Sequence, residues 1–305
     1  MGRRFRRTTI MAAGLAVLSA VLLTGCSNND PLSSGGSSSS STIVVGSQSY
    51  YSNEIIAEIY AQALEHDGYT VTRQFGIGQR EVYLPEIEAG QIDLFPEYTG
   101  PLLQYWDPTT TARLGDDVYA QLKTVTPSGL RVLDQAPATD QDSYVVTQAF
   151  AQQWGLTTIS DLSKVTTPMT MGADSEAQSR PNGPEGLKNT YGVSVNFTPI
   201  EDGGGPVTVK ALQTGQIQLA IIYTADPSIA TNNLVSLTDD KGLFLASHVV
   251  PLASTKIDDK AAGIINSISA AMTPDELIGL NAQSVNDQLP ASTIAKNWLA
   301  SKNLT

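Results

Sequence analysis

Two stretches of this chain repeat one another in form. Glu88-Ala-Gly90-Gln-Ile-Asp-Leu-Phe-Pro-Glu-Tyr98-Thr99 returns as Gln213-Thr-Gly215-Gln-Ile-Gln-Leu-Ala-Ile-Ile-Tyr223-Thr224. In each, a helical segment ends at glycine, Gln-Ile opens a strand, and Tyr-Thr closes it, the tyrosine lying eight residues after the glycine. Upstream of each copy come a strand containing phenylalanine (Phe75, Phe197), a glycine-rich turn (Gly76 to Gly78, Asp202 to Pro206) and a helix. A chain built this way is expected to form two lobes of similar plan. Each lobe then presents a tyrosine at the carboxyl end of a strand, the edge at which α/β sheets bind ligands.

The intervening sequence supports an α/β class. Thr42 to Gly46 is a β-branched run ending in glycine, a strand entering a loop. From Asn53 to His66, Ile55, Ile56, Ile59, Tyr60, Ala63 and Leu64 share one helical face, with Asn53 as the expected N-cap. Gly68 stops that helix, and Tyr69 to Phe75 alternates as a second strand. Strand, helix, strand in this order is a βαβ unit, and the alternation continues along the chain.

The front end reads as an export signal. Arg3, Arg4, Arg6 and Arg7 precede an apolar stretch from Ile10 to Leu23. That stretch is shorter than the roughly 20 residues of a membrane span and suits a signal-peptide core. It ends in Leu23-Thr24-Gly25-Cys26, which resembles the lipobox of bacterial lipoproteins. The resemblance implies a signal peptide over residues 1–25, lipidation of Cys26, and a protein held at the outer face of the cell membrane by its acyl chains. Cys26 is the only cysteine, which excludes an intramolecular disulfide framework and any multi-cysteine metal site. Residues 26–42, rich in serine and glycine, read as a flexible tether.

About 263 residues follow, enough for two ordinary lobes. The chain carries 18 Lys and Arg against 30 Asp and Glu; without the four leader arginines the balance is 14 against 30. Nothing forms a basic patch, so nucleic acid is not an expected partner.

The motifs resemble those of the glycine betaine/choline-type substrate-binding proteins of ABC importers, the OpuAC-like family. Matching stretches run from Ile43 to Leu299. They include Val45-Gly-Ser47, Ile59-Tyr-Ala-Gln-Ala-Leu-Glu65, Gly90-Gln-Ile-Asp93, Pro96-Glu-Tyr-Thr-Gly100, Arg180-Pro-Asn-Gly183 and Leu280-Asn-Ala-Gln283. The run Asp93 to Gly100 is the most specific of them. The resemblance implies a two-lobed periplasmic-binding-protein-like fold of type II with the ligand in the cleft. Lobe 1 would comprise 43–140 plus 246–305, and lobe 2 would comprise 141–245. It further implies a ligand whose quaternary ammonium sits among tyrosine rings, each favourable contact being worth roughly 0.5 to 2 kcal/mol.

Carried over by motif, Tyr98, Tyr144 and Tyr223 are the expected cage residues. There are departures. In Phe244-Leu-Ala-Ser247-His248, Ser247 stands where the family often has a further cage tyrosine, and Ser247 and His248 are counted with Gln48, Tyr50, Tyr51 and Asn53 among the expected ligand contacts. Pro101 replaces a polar residue after Glu-Tyr-Thr-Gly. Asn53 stands in place of a first-loop glutamine, with Gln48, Tyr50 and Tyr51 nearby to compensate. These departures leave the importer-receptor role in place and leave open whether the solute is glycine betaine, choline, carnitine, or a non-quaternary compound such as a polyol or an aromatic. A ligand sensor on the same scaffold is the other alternative.

An enzyme is not expected. His66 and His248 are the only histidines, and no Gly-x-Ser-x-Gly elbow, His-Glu-x-x-His pair or phosphate loop occurs. Asp93 and Glu97 form an acid pair by type, which the resemblance makes structural. No catalytic residue, metal or cofactor is therefore expected. The expected partners are a small solute, ABC permease and ATPase subunits, and the membrane through the lipid anchor, with the protein itself a monomer.

Overall fold

The computed structural model describes residues 42–305. The signal peptide, Cys26 and all of the tether except Thr42 lie outside the described residues.

Among the described residues, ten strands form two five-stranded sheets. The first holds β1 (Ile43–Gly46), β2 (Val71–Gln74), β3 (Leu94–Tyr98), β4 (Leu130–Val132) and, from the far end of the chain, β10 (Val249–Ser254). The second holds β5 (Asp142–Thr147), β6 (Thr170–Ala173), β7 (Asn196–Pro199), β8 (Leu219–Tyr223) and β9 (Leu234–Ser236). Their orders are β2-β1-β3-β10-β4 and β7-β6-β8-β5-β9, the same plan twice. β1 pairs parallel with β2 and β3, as β6 does with β7 and β8. The repeated sequence stretch thus supplies the central strand of each sheet, β3 and β8. In each sheet the fourth strand, β10 or β5, runs antiparallel to its neighbours. It is the strand that enters from the other lobe. The α/β class is as expected.

The two connections between lobes lie side by side. Asp140 N donates to Ser247 O at 3.1 Å, and the Ser247 hydroxyl donates to Asp140 O at 3.1 Å. Gly100 is required where the helix Thr99–Trp106 crosses this pair, because a β-carbon there would lie 2.8 Å from Ala246 O and from Leu245 Cβ.

The first helix shows how sequence pattern becomes core. All six apolar residues of its expected face are buried. They cluster with Ile294, Trp298 and Leu299 of the C-terminal helix Ala291–Lys302. Each such side chain contributes about 1.5–3 kcal/mol on burial. The expected cap is corrected: the helix is Tyr51–His66, and Tyr50 is its N-cap, in extended backbone without a side-chain cap bond. Asn53 therefore lies inside the first turn, fully buried. The second strand is also shorter than its alternation suggested. No helix among the described residues is long and apolar enough to cross a membrane.

Candidate ligand site

The carboxyl ends of the two sheets face one another. Tyr98 ends β3 and Tyr223 ends β8. A small cavity of about 20 Å³ lies between these ends. It is lined by Gln48, Tyr98, Pro101 and Asp140 on one side and by Asp142, Arg180 and Tyr223 on the other. Both tyrosines of the sequence echo thus line one cavity.

Tyr98 is held from behind. Glu97, fully buried, receives Arg80 Nε at 2.9 Å, Arg80 Nη2 at 3.0 Å and the Tyr83 hydroxyl at 2.6 Å. Its second oxygen accepts the backbone N–H of Tyr98 at 2.7 Å. A bidentate guanidinium pair of this kind fixes direction as well as distance. The Asn53 amide donates to Pro96 O at 2.7 Å and approaches the Tyr98 hydroxyl at 3.5 Å, while its oxygen accepts Gln48 N at 3.0 Å. Asn53 thus ties the first loop to β3 instead of capping the helix.

Tyr50 and Tyr51 both join the cluster. The Tyr50 ring lies 4.8 Å from Tyr51 and 4.6 Å from Tyr223, and the Tyr51 hydroxyl donates to Asp226 Oδ2 at 2.9 Å. Burial raises the phenols of Tyr50, Tyr51, Tyr98 and Tyr223 well above their usual range, so all four rings stay neutral. Gly204 permits the loop beside Tyr223. It has φ +81°, and a β-carbon there would lie 2.9 Å from Ile221 O.

Other side chains close the cleft from both lobes. Arg180 donates to Glu81 at 3.2 and 3.0 Å, and the Gln79 amide donates to Asp174 Oδ2 at 3.2 Å. Asp174 is pushed up to about 6, by burial first, against the N–H of Gly203 that favours its charge.

Three expected ligand residues stand elsewhere. Tyr144 is fully buried in the core of the second lobe. Its hydroxyl donates to Asn182 O at 2.8 Å and its ring meets Phe244 edge-on at 5.0 Å. His248 places Nδ1 2.9 Å from Ala136 O and packs its ring against Gly115. Ser247, also buried, spends its hydroxyl on the hinge carbonyl of Asp140. The acid pair of the sequence is structural in its contacts: Asp93 is bonded to Ser254, Lys256 and Val44 N, and Glu97 to Arg80.

Sequence reasoning missed the acids of the site. Asp140 is 3% exposed; its Oδ1 accepts Ala225 N at 3.0 Å, and its Oδ2 has no hydrogen-bond partner. Burial pushes the Asp140 carboxyl up to about 8; the Ala225 N–H opposes this, and Asp226 and Asp142 add to it. The triplet Asp140-Gln-Asp142 at the point where the chain changes lobes was the available signal. Neutral ring faces around a buried carboxylate form a site suited to an organic cation that offers few hydrogen-bond donors.

Comparison with known proteins agrees with this geometry. The family described as "Substrate binding domain of ABC-type glycine betaine transport system" matches residues 41–301. The carnitine transport binding protein OpuCC of Listeria monocytogenes is 26% identical over 305 residues, covering 95% of this chain and 94% of its own. The glycine betaine-binding protein YehZ of Escherichia coli K12 is 24% identical over 275 residues, covering 85% and 90%. Among solved structures, a glycine betaine/carnitine/choline ABC transporter protein superposes with a TM-score of 0.70 at 20% identity, covering 86% of this chain and 99% of that one. The shared fold is the two-lobed, type II binding-protein fold. The chain belongs to the family of substrate-binding domains of ABC-type glycine betaine transport systems.

Proposed function

We propose that this protein is the extracytoplasmic receptor of an ABC importer for quaternary-ammonium solutes (glycine betaine, choline, carnitine or a relative). It passes ligand to its permease and ATPase partners and catalyses no reaction. The carrying observation is that Tyr98 and Tyr223, one from each side of the cleft, line one cavity, with the Tyr50 ring packed against Tyr223 and Tyr51. A trimethylammonium donates no conventional hydrogen bond, so ring faces are the natural partners for its charge. Ligand bridging the lobes favours the closed arrangement, and the permease reads that closure. Residues 43–140 with 246–305 and residues 141–245 are the moving bodies, hinged at Asp140 and Ser247. Gln48 and Asn53 support the first-lobe side of the cage. Lipidation of Cys26 would keep the receptor beside its permease, and a Cys26→Ser variant should leave the membrane fraction.

The test is thermal melting of residues 42–305 against glycine betaine, choline, carnitine, proline betaine, ectoine, proline and polyols. Ligand at 100 times its dissociation constant adds about 2.7 kcal/mol, a rise of roughly 5–10 °C for a body of this size. A shift with quaternary amines supports the reading. A shift only with ectoine, proline or polyols would sink it.

A further inference from the structure

The ionic balance around the tyrosines points to the charge of the ligand. Asp140, Asp142, Asp174 and Asp226 surround the cluster, and among the described residues none of them makes an ion pair with lysine, arginine or histidine. The two arginines lining the same cavity are already matched, Arg80 to Glu97 at 2.9 Å and Arg180 to Glu81 at 3.0 Å. The groups left without an ionic partner are therefore all acidic.

Three of the four carboxylates accept a neutral side-chain donor, whereas Asp140 accepts the backbone N–H of Ala225. Asp142 accepts the Asn182 amide at 2.6 Å, Asp174 accepts Gln79 and Gly203 N, and Asp226 accepts Tyr51 and Ser228 N. Asp140 differs, because its buried Oδ2 is unpartnered in the cavity lined by Tyr98 and Tyr223. The buried Tyr50 hydroxyl lies beside it without a formed hydrogen bond and favours the charged form of the carboxyl. Leaving a buried carboxylate oxygen unmatched is unfavourable, and a positive charge brought by ligand offsets that cost.

Resting on the function proposed above, we propose that Asp140 is the specificity-determining residue of the cage, supplying the counter-charge to the ligand's ammonium head. The site then selects net cations of the choline type over zwitterions of the betaine type. A betaine brings its own carboxylate into a space whose unpaired groups are all acidic, and like charges held together at a desolvated site disfavour the wrong ligand.

Calorimetric titration of choline and glycine betaine into the wild type and Asp140→Asn tests this. Asparagine keeps the Oδ1 acceptor for Ala225 N while removing the charge, and melting curves verify the fold. The wild type should bind choline more tightly than betaine. Asp140→Asn should weaken choline by about 30-fold or more while changing betaine far less, so the ratio collapses. Asp142→Asn, whose carboxylate already takes the Asn182 side-chain amide, should have the smaller effect. A wild type that prefers betaine, or an unchanged ratio in folded Asp140→Asn, overturns the assignment while leaving the quaternary-amine reading standing. Failure of the wild type to bind choline or betaine overturns the assignment, and failure with carnitine and proline betaine as well overturns both readings. If Asp140→Asn does not fold, the wild-type preference alone decides.

Discussion

The ring of Tyr50, at the start of the first helix, lies 4.6 Å from the ring of Tyr223 at the end of β8, with their planes inclined at 44°. One residue lies on each of the two sheets' sides of the cleft, so the contact bridges it. Removing either ring takes away a face of the cage and an inter-lobe contact together. Tyr223→Ala should weaken quaternary-amine binding roughly 10-fold or more, given about 0.5–2 kcal/mol for each ring contact and the lost support of Tyr50. Calorimetry checks this, and an affinity within twofold of wild type would remove Tyr223 from the cage.

Arg180 and Glu81 form a second link across the cleft. Glu81 is partly exposed, so the pair is worth only about 0.2–1 kcal/mol in isolation. Arg180→Ala and Glu81→Ala should each lower ligand affinity about two- to fivefold, and the double variant should be no worse than either single one. Fully additive losses in that cycle would mean that the two side chains do not act through each other.

The Arg80–Glu97 pair is of another kind, buried and bonded also to Tyr83 and to the backbone of Tyr98. Glu97→Ala leaves a buried guanidinium without its partner, which costs roughly 3–5 kcal/mol. At about 2–4 °C per kcal/mol, the melting temperature should fall by roughly 6–20 °C. A fall below 3 °C would contradict the structural role given to this carboxylate.

Much of this arrangement was legible beforehand because it is periodic. The echo around Gly90 and Gly215 marked the central strands β3 and β8, and its closing tyrosines do line one cavity. What failed depended on depth and register. Tyr144 lies on the same strand face as Asp142, two residues further into the sheet, where Phe244 covers it. Ser247 and His248 alternate about the crossover, so one bonds the hinge and the other turns toward Gly115. Asn53 fits the sequence rule for a cap, but the helix begins at Tyr51 and its amide is used by Gln48 and Pro96. Asp140 carries no motif at all. Its position follows from two crossover segments meeting, which only the tertiary structure sets.

Choline affinity should depend on pH through Asp140. Its carboxyl sits near 8 by burial, and a bound cation favours the ionised form, so binding releases a proton. Affinity therefore rises with pH and levels off above about 8, and it falls as the pH drops below that value. The charges of Asp226 and Asp142 add to the upward shift of Asp140, Arg80 and Arg180 stay charged, and the four phenols stay neutral. Calorimetry from pH 6 to 9 should show this slope in the wild type and a flat line in Asp140→Asn. A slope that survives the substitution would place the titrating group elsewhere.

The most direct measurement compares choline with its uncharged isostere, in which carbon replaces the quaternary nitrogen, by titration into the same wild-type protein. Size and hydroxyl are matched, so only the charge read by the rings and Asp140 differs. The account requires choline to bind at least about 30-fold more tightly, equivalent to ~2 kcal/mol. Equal affinity for the two, or binding of neither, would contradict it.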